Sequence, residues 1–334
     1  MGANICTWLG QSSGGAVGAW VQIFALCVRV VPPVFLCFRW WSVFLWGAVV
    51  TEFERVRDRA MGCLVGLAVG DALGAPVEFA ERGTFEPVVG YRAGGPFNLE
   101  AGEWTDDTAM ARGLAASLRE KGYMDHVDVM VRWCNWQAQG LYSVNGRCFD
   151  IGGRTATALD TFRETGAHSA YSASALGCGG IMRMAPAAVY GALTGNMRVC
   201  VRQSALTHNN QEANAVAKKL GQLLAGFVWG MRSKAVDGRV VVPEVFGGTA
   251  VDCFDLAWAA FRLSRDFSGC VLRAANFGGD ADSVAAVAGQ LAGAYFGLSE
   301  IRRSGLLDGL AMGDTLLGEA EEFVDTFMKS DWVW

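Results

Sequence analysis

Two apolar stretches carry glycine at every fourth position: Gly62, Gly66, Gly70 and Gly74 in one, Gly289, Gly293 and Gly297 in the other. Four residues is close to one turn of an α-helix, so each series lines a single helix face. A glycine in a helix interior costs about 1 kcal/mol against alanine, and something must offset that loss. For the 289–297 series the natural offset is close helix contact. For the 62–74 series it is close helix packing or the close approach of a ligand. The segment 283–298 is apolar almost all round, yet it is too short for a bilayer and opens on hydrogen-bonding residues. It reads as a central core helix.

Helical periodicity recurs over 56–72, 107–120, 126–139, 155–163, 213–231, 254–263, 283–295 and 314–328. Strand patterns are scarce, and only 239–246 runs β-branched in a convincing way. The expected fold is therefore all-α, a compact helical bundle. No internal repeat or low-complexity linker follows residue 51, so 51–334 reads as one domain.

Residues 1–50 differ. Met1 to Val28 carries no charge, and through Val50 the only charges are Arg29 and Arg39, among five tryptophans. No basic n-region or small-residue cleavage site marks a secretory signal, and Arg29 with Pro32-Pro33 interrupts the best membrane-spanning window. Cys6 stands where a myristoylation signal needs serine or threonine. The expectation is sequence upstream of the true start, with a membrane-surface segment or an extra packing layer as alternatives. Membrane contact is expected only through this extension.

A net charge of −5 and a pI near 5.3 leave no basic footprint for a nucleic-acid backbone. The ten cysteines form no C-x-x-C pair and sit mostly in apolar patterns, which favours reduced thiols and a cytoplasmic protein. The sequence carries no signal for an oligomeric state.

Two acidic clusters stand before apolar helical patterns: Thr105-Asp106-Asp107-Thr108 after Gly102-Glu103-Trp104, and Asp280-Ala281-Asp282-Ser283 after Asn276-Phe277-Gly278-Gly279. Asp, Ser and Thr are ordinary helix N-caps, and carboxylates suit a first helical turn. One side chain suffices for a cap, however, and each cluster offers several hard oxygens. Two Mg²⁺ or Mn²⁺ ions against a polar substrate require such a set. Gly177-Cys178-Gly179-Gly180 adds a turn whose backbone amides can approach an anion.

These blocks occur with Gly70-Asp71-Ala72-Leu73-Gly74 and Glu78-Phe79, with Asp150-Ile151-Gly152-Gly153-Arg154-Thr155, with Ile181-Met182-Arg183 and Ala185-Pro186, and with Thr207-His208. Their order over residues 56–298 resembles the ADP-ribosylglycohydrolases, a group that includes the dinitrogenase reductase-activating glycohydrolase. The resemblance implies a compact all-α fold with a binuclear Mg²⁺ or Mn²⁺ centre. Its ligands would be Thr105, Asp106, Asp107, Asp280, Asp282 and Ser283, with serine where many members have threonine.

By the same resemblance Glu78 is the general-base candidate and Asp150 the second carboxylate. Taken alone, Glu78 reads as an exposed loop acid after Pro76, and Asp150 as an N-cap for the helix near Thr155. Gly152, Gly153, Cys178, Gly179, Gly180, Met182, Arg183 and His208 would contact the substrate. Most relatives carry asparagine at the Cys178 position. Taken alone, Arg183 serves equally for structural hydrogen bonding, and His208 is a satisfied core residue. The implied reaction is hydrolysis at the anomeric carbon of ADP-ribose, freeing it from a protein side chain or a small molecule. The alternatives are a two-metal phosphoesterase and an ADP-ribose-binding relative without turnover.

Overall fold

The computed structural model describes residues 35–232 and 240–328, with side chains from Glu52 onward. Contacts divide the chain after Thr51, and the unit Glu52–Trp334 holds every side chain described below. The expectations for residues 1–50 lie outside the described residues, apart from the helical backbone that starts at Phe35.

The fold is all-α, and the described residues contain no strand. The helices are α1 (Phe35–Gly74), α2 (Asp106–Lys121), α3 (His126–Gln139), α4 (Gly153–Thr165), α5 (Gly179–Met182), α6 (Ala185–Thr194) and α7 (Arg198–Ala205). They continue with α8 (Gln211–Val228), α9 (Ala250–Leu263), α10 (Phe267–Ala275), α11 (Ala281–Phe296), α12 (Leu298–Ser304) and α13 (Gly313–Phe327). The strand expected over 239–246 is absent from its described part. Val241 is 75% exposed and Phe246 53% exposed, and without a partner strand the segment stays a loop.

Helix α11 is the axis of the bundle, buried from Ala281 to Ala294 and packed by α2, α5, α8, α9 and α10. The glycine series explain how α1 joins it. A Cβ built on Gly62 would strike the Gly293 carbonyl, one on Gly66 would strike Gly289, and the reverse additions would strike Gly62 and Gly66. Gly70 and Gly74 meet Ala285 and Ala281 in the same way. The backbones of α1 and α11 therefore touch directly, and contact between small residues offsets the weak helix propensity.

The approach at Gly74 fixes the site. An added Cβ there would lie 2.5 Å from the Asp282 Cα, so α1 sets the position of the first turn of α11. The stretch Glu52–Val77 is long and apolar enough to cross a membrane, but 89% of its apolar window is buried inside the protein. It is a core helix in this unit.

Candidate active site

The two acidic clusters open α2 and α11 and face each other. Thr105 is the N-cap residue of α2 and Asp280 that of α11, yet neither makes a side-chain capping bond. Asp125, Asn210, Thr249 and Asp266 do cap their helices, accepting from backbone N–H groups. Capping accounts for those four residues and leaves both clusters unexplained.

The clusters are joined through space. The Thr105 hydroxyl oxygen lies 3.2 Å from Asp282 Oδ2, and the Ser283 hydroxyl donates to Asp107 at 3.3 Å. Single oxygens of Glu78, Asp280 and Asp282 lie within 4.8 Å of one another, as do those of Asp106, Asp150 and Asp282. Asp282 belongs to both groups and stands at the centre.

Burial raises the carboxyl pKa of Asp106, Asp107, Asp280 and Asp282, and mutual repulsion adds to the effect for the first three. Glu78 and Asp150 are raised for the same two reasons, burial first. Glu78 Oε2, Asp107 Oδ2 and Asp282 Oδ1 are buried without a hydrogen-bond partner. Unpartnered buried oxygens amid like charges are destabilising unless a cation offsets them. The residues present therefore fit a metal centre of hard, oxygen-preferring ions.

Asp71 supports the cluster from α1, a role sequence reasoning missed. Its carboxylate accepts from the Thr105 N–H and hydroxyl at 2.9 Å, and from the Thr108 N–H and hydroxyl at 3.0 and 2.6 Å. Burial pushes its pKa up to about 7 against these bonds. A lone acid in the apolar run of α1 was the available signal, because a buried carboxylate needs donors.

A cleft of about 300 Å³ opens above the carboxylates. Its walls carry Glu78, Asp106, Asp150, Gly152, Gly153, Cys178, Gly179, Met182, His208, Asp280, Asp282 and Ser283 from the expected set. Thr105, Asp107, Gly180 and Arg183 do not line it. Thr105 and Asp107 are buried against the lining residues Asp282 and Ser283, and Gly180 packs against Ser204. Phe79, Arg154, Thr155, Gly177, Phe246 and Gly248 also line the cleft and were not expected to.

Arg183 is fully buried. It donates to Thr207 Oγ1 at 2.7 Å and to Gln203 Oε1 at 3.2 Å, and it stacks over Trp133 at 4.1 Å. Burial lowers its pKa to about 9, which still leaves a cation at neutral pH. The structural alternative therefore describes its surroundings better than substrate contact.

Gly152 is the N-cap of α4, so Asp150 does not cap that helix. Asp150 instead adopts φ +57°, a left-handed backbone that Asp takes more readily than most non-glycine residues, and its carboxyl joins the cluster. A Cβ at Gly152 or Gly153 would meet nothing, so the N-terminus of α4 presents open backbone to the cleft. At Gly179 a Cβ would lie 2.5 Å from the His208 ring, so this glycine makes room for the imidazole. His208 Nδ1 is 2.8 Å from Thr207 Oγ1, and burial lowers its pKa to about 3, which keeps the ring neutral. The Cys178 thiol donates to Asp280 Oδ2 at 3.1 Å and lies 3.5 Å from Ser283 Oγ.

Residues 53–332 match the family model described as ADP-ribosylglycohydrolase. The chain is 38% identical over 274 residues to the ADP-ribosylarginine hydrolase Tri1 of Pseudomonas putida, an alignment covering 74% of this chain and 72% of that protein. It is 33% identical over 279 residues to the ADP-ribosyl-[dinitrogen reductase] glycohydrolase of Rhodospirillum rubrum, covering 77% and 92%. A solved structure titled ADP-ribosylglycohydrolase-related protein complex superposes with a TM-score of 0.71 at 33% identity, covering 82% of this chain and all of that one. With its helical fold, its paired acidic turns and these matches, the chain belongs to the ADP-ribosylglycohydrolase family and is a hydrolase of that kind.

Proposed function

We propose that this chain removes ADP-ribose from ADP-ribosylated arginine side chains of protein, by hydrolysing the N-glycosidic bond at the anomeric carbon of the ribose. The observation that carries this reading is the ring of buried carboxylates with unpartnered oxygens beneath a cleft edged by open glycine backbone. The arginine linkage is favoured by two relatives at 38% and 35% identity, both named ADP-ribosylarginine hydrolase.

In this reading Asp106, Asp107, Asp280 and Asp282, with the hydroxyls of Thr105 and Ser283, hold two divalent cations, Mg²⁺ or Mn²⁺. Such ions, when bound, polarise ligand oxygens and lower the pKa of water. Glu78, with Asp150 as the second carboxylate, accepts the proton of the attacking water and returns one to the departing guanidine nitrogen. The water oxygen bonds to the anomeric carbon as the carbon–nitrogen bond breaks, through an oxocarbenium-like transition state. Backbone N–H groups at Gly152, Gly153 and Gly179 donate to the diphosphate oxygens, for which a helix N-terminus is a favourable site. His208, neutral and hydrogen-bonded to Thr207, packs behind Gly179 and holds that turn in place.

The test is ADP-ribose release from arginine-linked and serine-linked ADP-ribosyl proteins, poly-ADP-ribose and O-acetyl-ADP-ribose, each with Mg²⁺ or Mn²⁺. Free ADP-ribose is expected from the arginine-linked protein. Release of inorganic phosphate or AMP, or turnover confined to another linkage, would overturn the proposal.

A further inference from the structure

Two phenylalanines at the cleft have no part in the chemistry above. Phe79 directly follows Glu78 and is 57% exposed, and Phe246 is 53% exposed. Both line the cleft. Their rings are near parallel, at 7°, with centroids 6.5 Å apart. Two exposed rings of one orientation at the same cleft offer π faces to a planar group docked against them.

The pair is built into the site. The Phe79 N–H donates to the Gly279 carbonyl at 2.7 Å, and the Asp280 N–H donates to the Phe246 carbonyl at 2.9 Å. One short turn, ending at a carboxylate of the acidic ring, thus holds the backbone of both aromatic residues. Phe97 packs edge-on against Phe79 at 6.5 Å and at a tilt against Phe149 at 5.5 Å, and Phe149 precedes Asp150. Phe79 also sits at φ +63°, a strained conformation for a bulky residue that surrounding contacts must maintain.

The chemistry of the rim selects its occupant. Aromatic faces attract cations, and a guanidinium is both planar and cationic. The glycine backbone at Gly152 and Gly153, beside Arg154, suits the diphosphate and hence the adenosine attached to it. The geometry points to Phe79 and Phe246 as the subsite for the group on the leaving side of the scissile bond, which they hold as a planar guanidinium. This subsite rests on the arginine-linked reading above, and it deepens that reading from the ADP-ribose half of the substrate to the acceptor half.

The test compares wild type with F79L, F246L and the double variant, in which apolar bulk is kept and the π face removed. Steady-state kinetics on arginine-linked ADP-ribosyl protein are expected to show KM rising about tenfold in the double variant with kcat little changed. F79Y and F246Y are expected to restore KM. The affinity for free ADP-ribose is expected to stay at the wild-type value in every variant. An unchanged KM overturns the subsite, and so does a parallel loss of ADP-ribose affinity, which would put adenine against the rings.

Saturation-transfer NMR with methylguanidinium reads the subsite without turnover. A signal in wild type that fades in the double variant supports it, and equal signals overturn it. A wild type that binds methylguanidinium through these rings but releases no ADP-ribose from arginine would refute the proposed reaction and leave the subsite standing.

Discussion

Asp71 shows what single residues contribute beneath the site. Its carboxylate takes all four donors offered by Thr105 and Thr108, and so orients the turn that presents Asp106 and Asp107. Asp71→Ala leaves those donors buried and unpaired, and the expected loss is about 3–5 kcal/mol of stability, read by urea denaturation. A loss below about 1 kcal/mol, the size of one ordinary hydrogen bond, would show that the turn holds without it. The sequence displayed Asp71 in a quoted motif but offered no hint of its partners, because hydrogen bonds between residues 34 and 37 positions apart leave no local pattern. Glu78 and Asp150 illustrate the same limit. Taken alone they read as a loop acid and a cap, and only the fold brings their carboxyls to Asp282. Arg183 was legible in chemistry but not in direction, since a motif cannot tell a cation facing the cleft from one stacked on Trp133.

At the scale of elements, the glycine ladders decide how closely α1 and α11 approach. Gly66→Ala gains about 1 kcal/mol of helix propensity but drives a methyl into the Gly289 backbone, which has no side chain to move aside. Overpacking against backbone is expected to win, with a net loss of about 1–3 kcal/mol and a lower Tm by calorimetry. An unchanged or higher Tm would mean that the two helices can separate freely. The long amphipathic helices were visible in the sequence, and α3 spans His126–Gln139 as its pattern and flanking residues imply. The short ones were not. Helix α6 is buried from Ala185 to Leu193 and so shows no polar face to mark a period, and α5 and α12 are too brief for one. The β-branched run at 239–246 misled in the opposite direction, since propensity without a pairing partner does not make a strand.

For the whole molecule, the proposed metal centre ties folding to cation and proton binding. Its carboxyls have folded pKa values above their unfolded ones, Glu78 being pushed up to about 11, so the native state holds more protons than the unfolded chain at neutral pH. Their contribution to stability is therefore fully present below the unfolded carboxylate pKa, about 4, and is lost as pH rises. In EDTA, Tm is expected to fall between pH 5 and pH 8, and Mg²⁺ or Mn²⁺ should raise it by an increment that grows with pH. A metal increment independent of pH would separate the ring from the ions.

The central claim is that the turns at Thr105–Asp107 and Asp280–Ser283 are halves of one metal centre. Elemental analysis of the Mn²⁺-loaded chain tests it most directly, beside Asp106→Ala and Asp282→Ala variants shown by circular dichroism to be folded. Two ions per chain are expected in the wild type and fewer in each variant, with Asp282→Ala losing more because that residue belongs to both carboxylate groups. If both variants keep the wild-type metal content, the two turns do not form a metal centre.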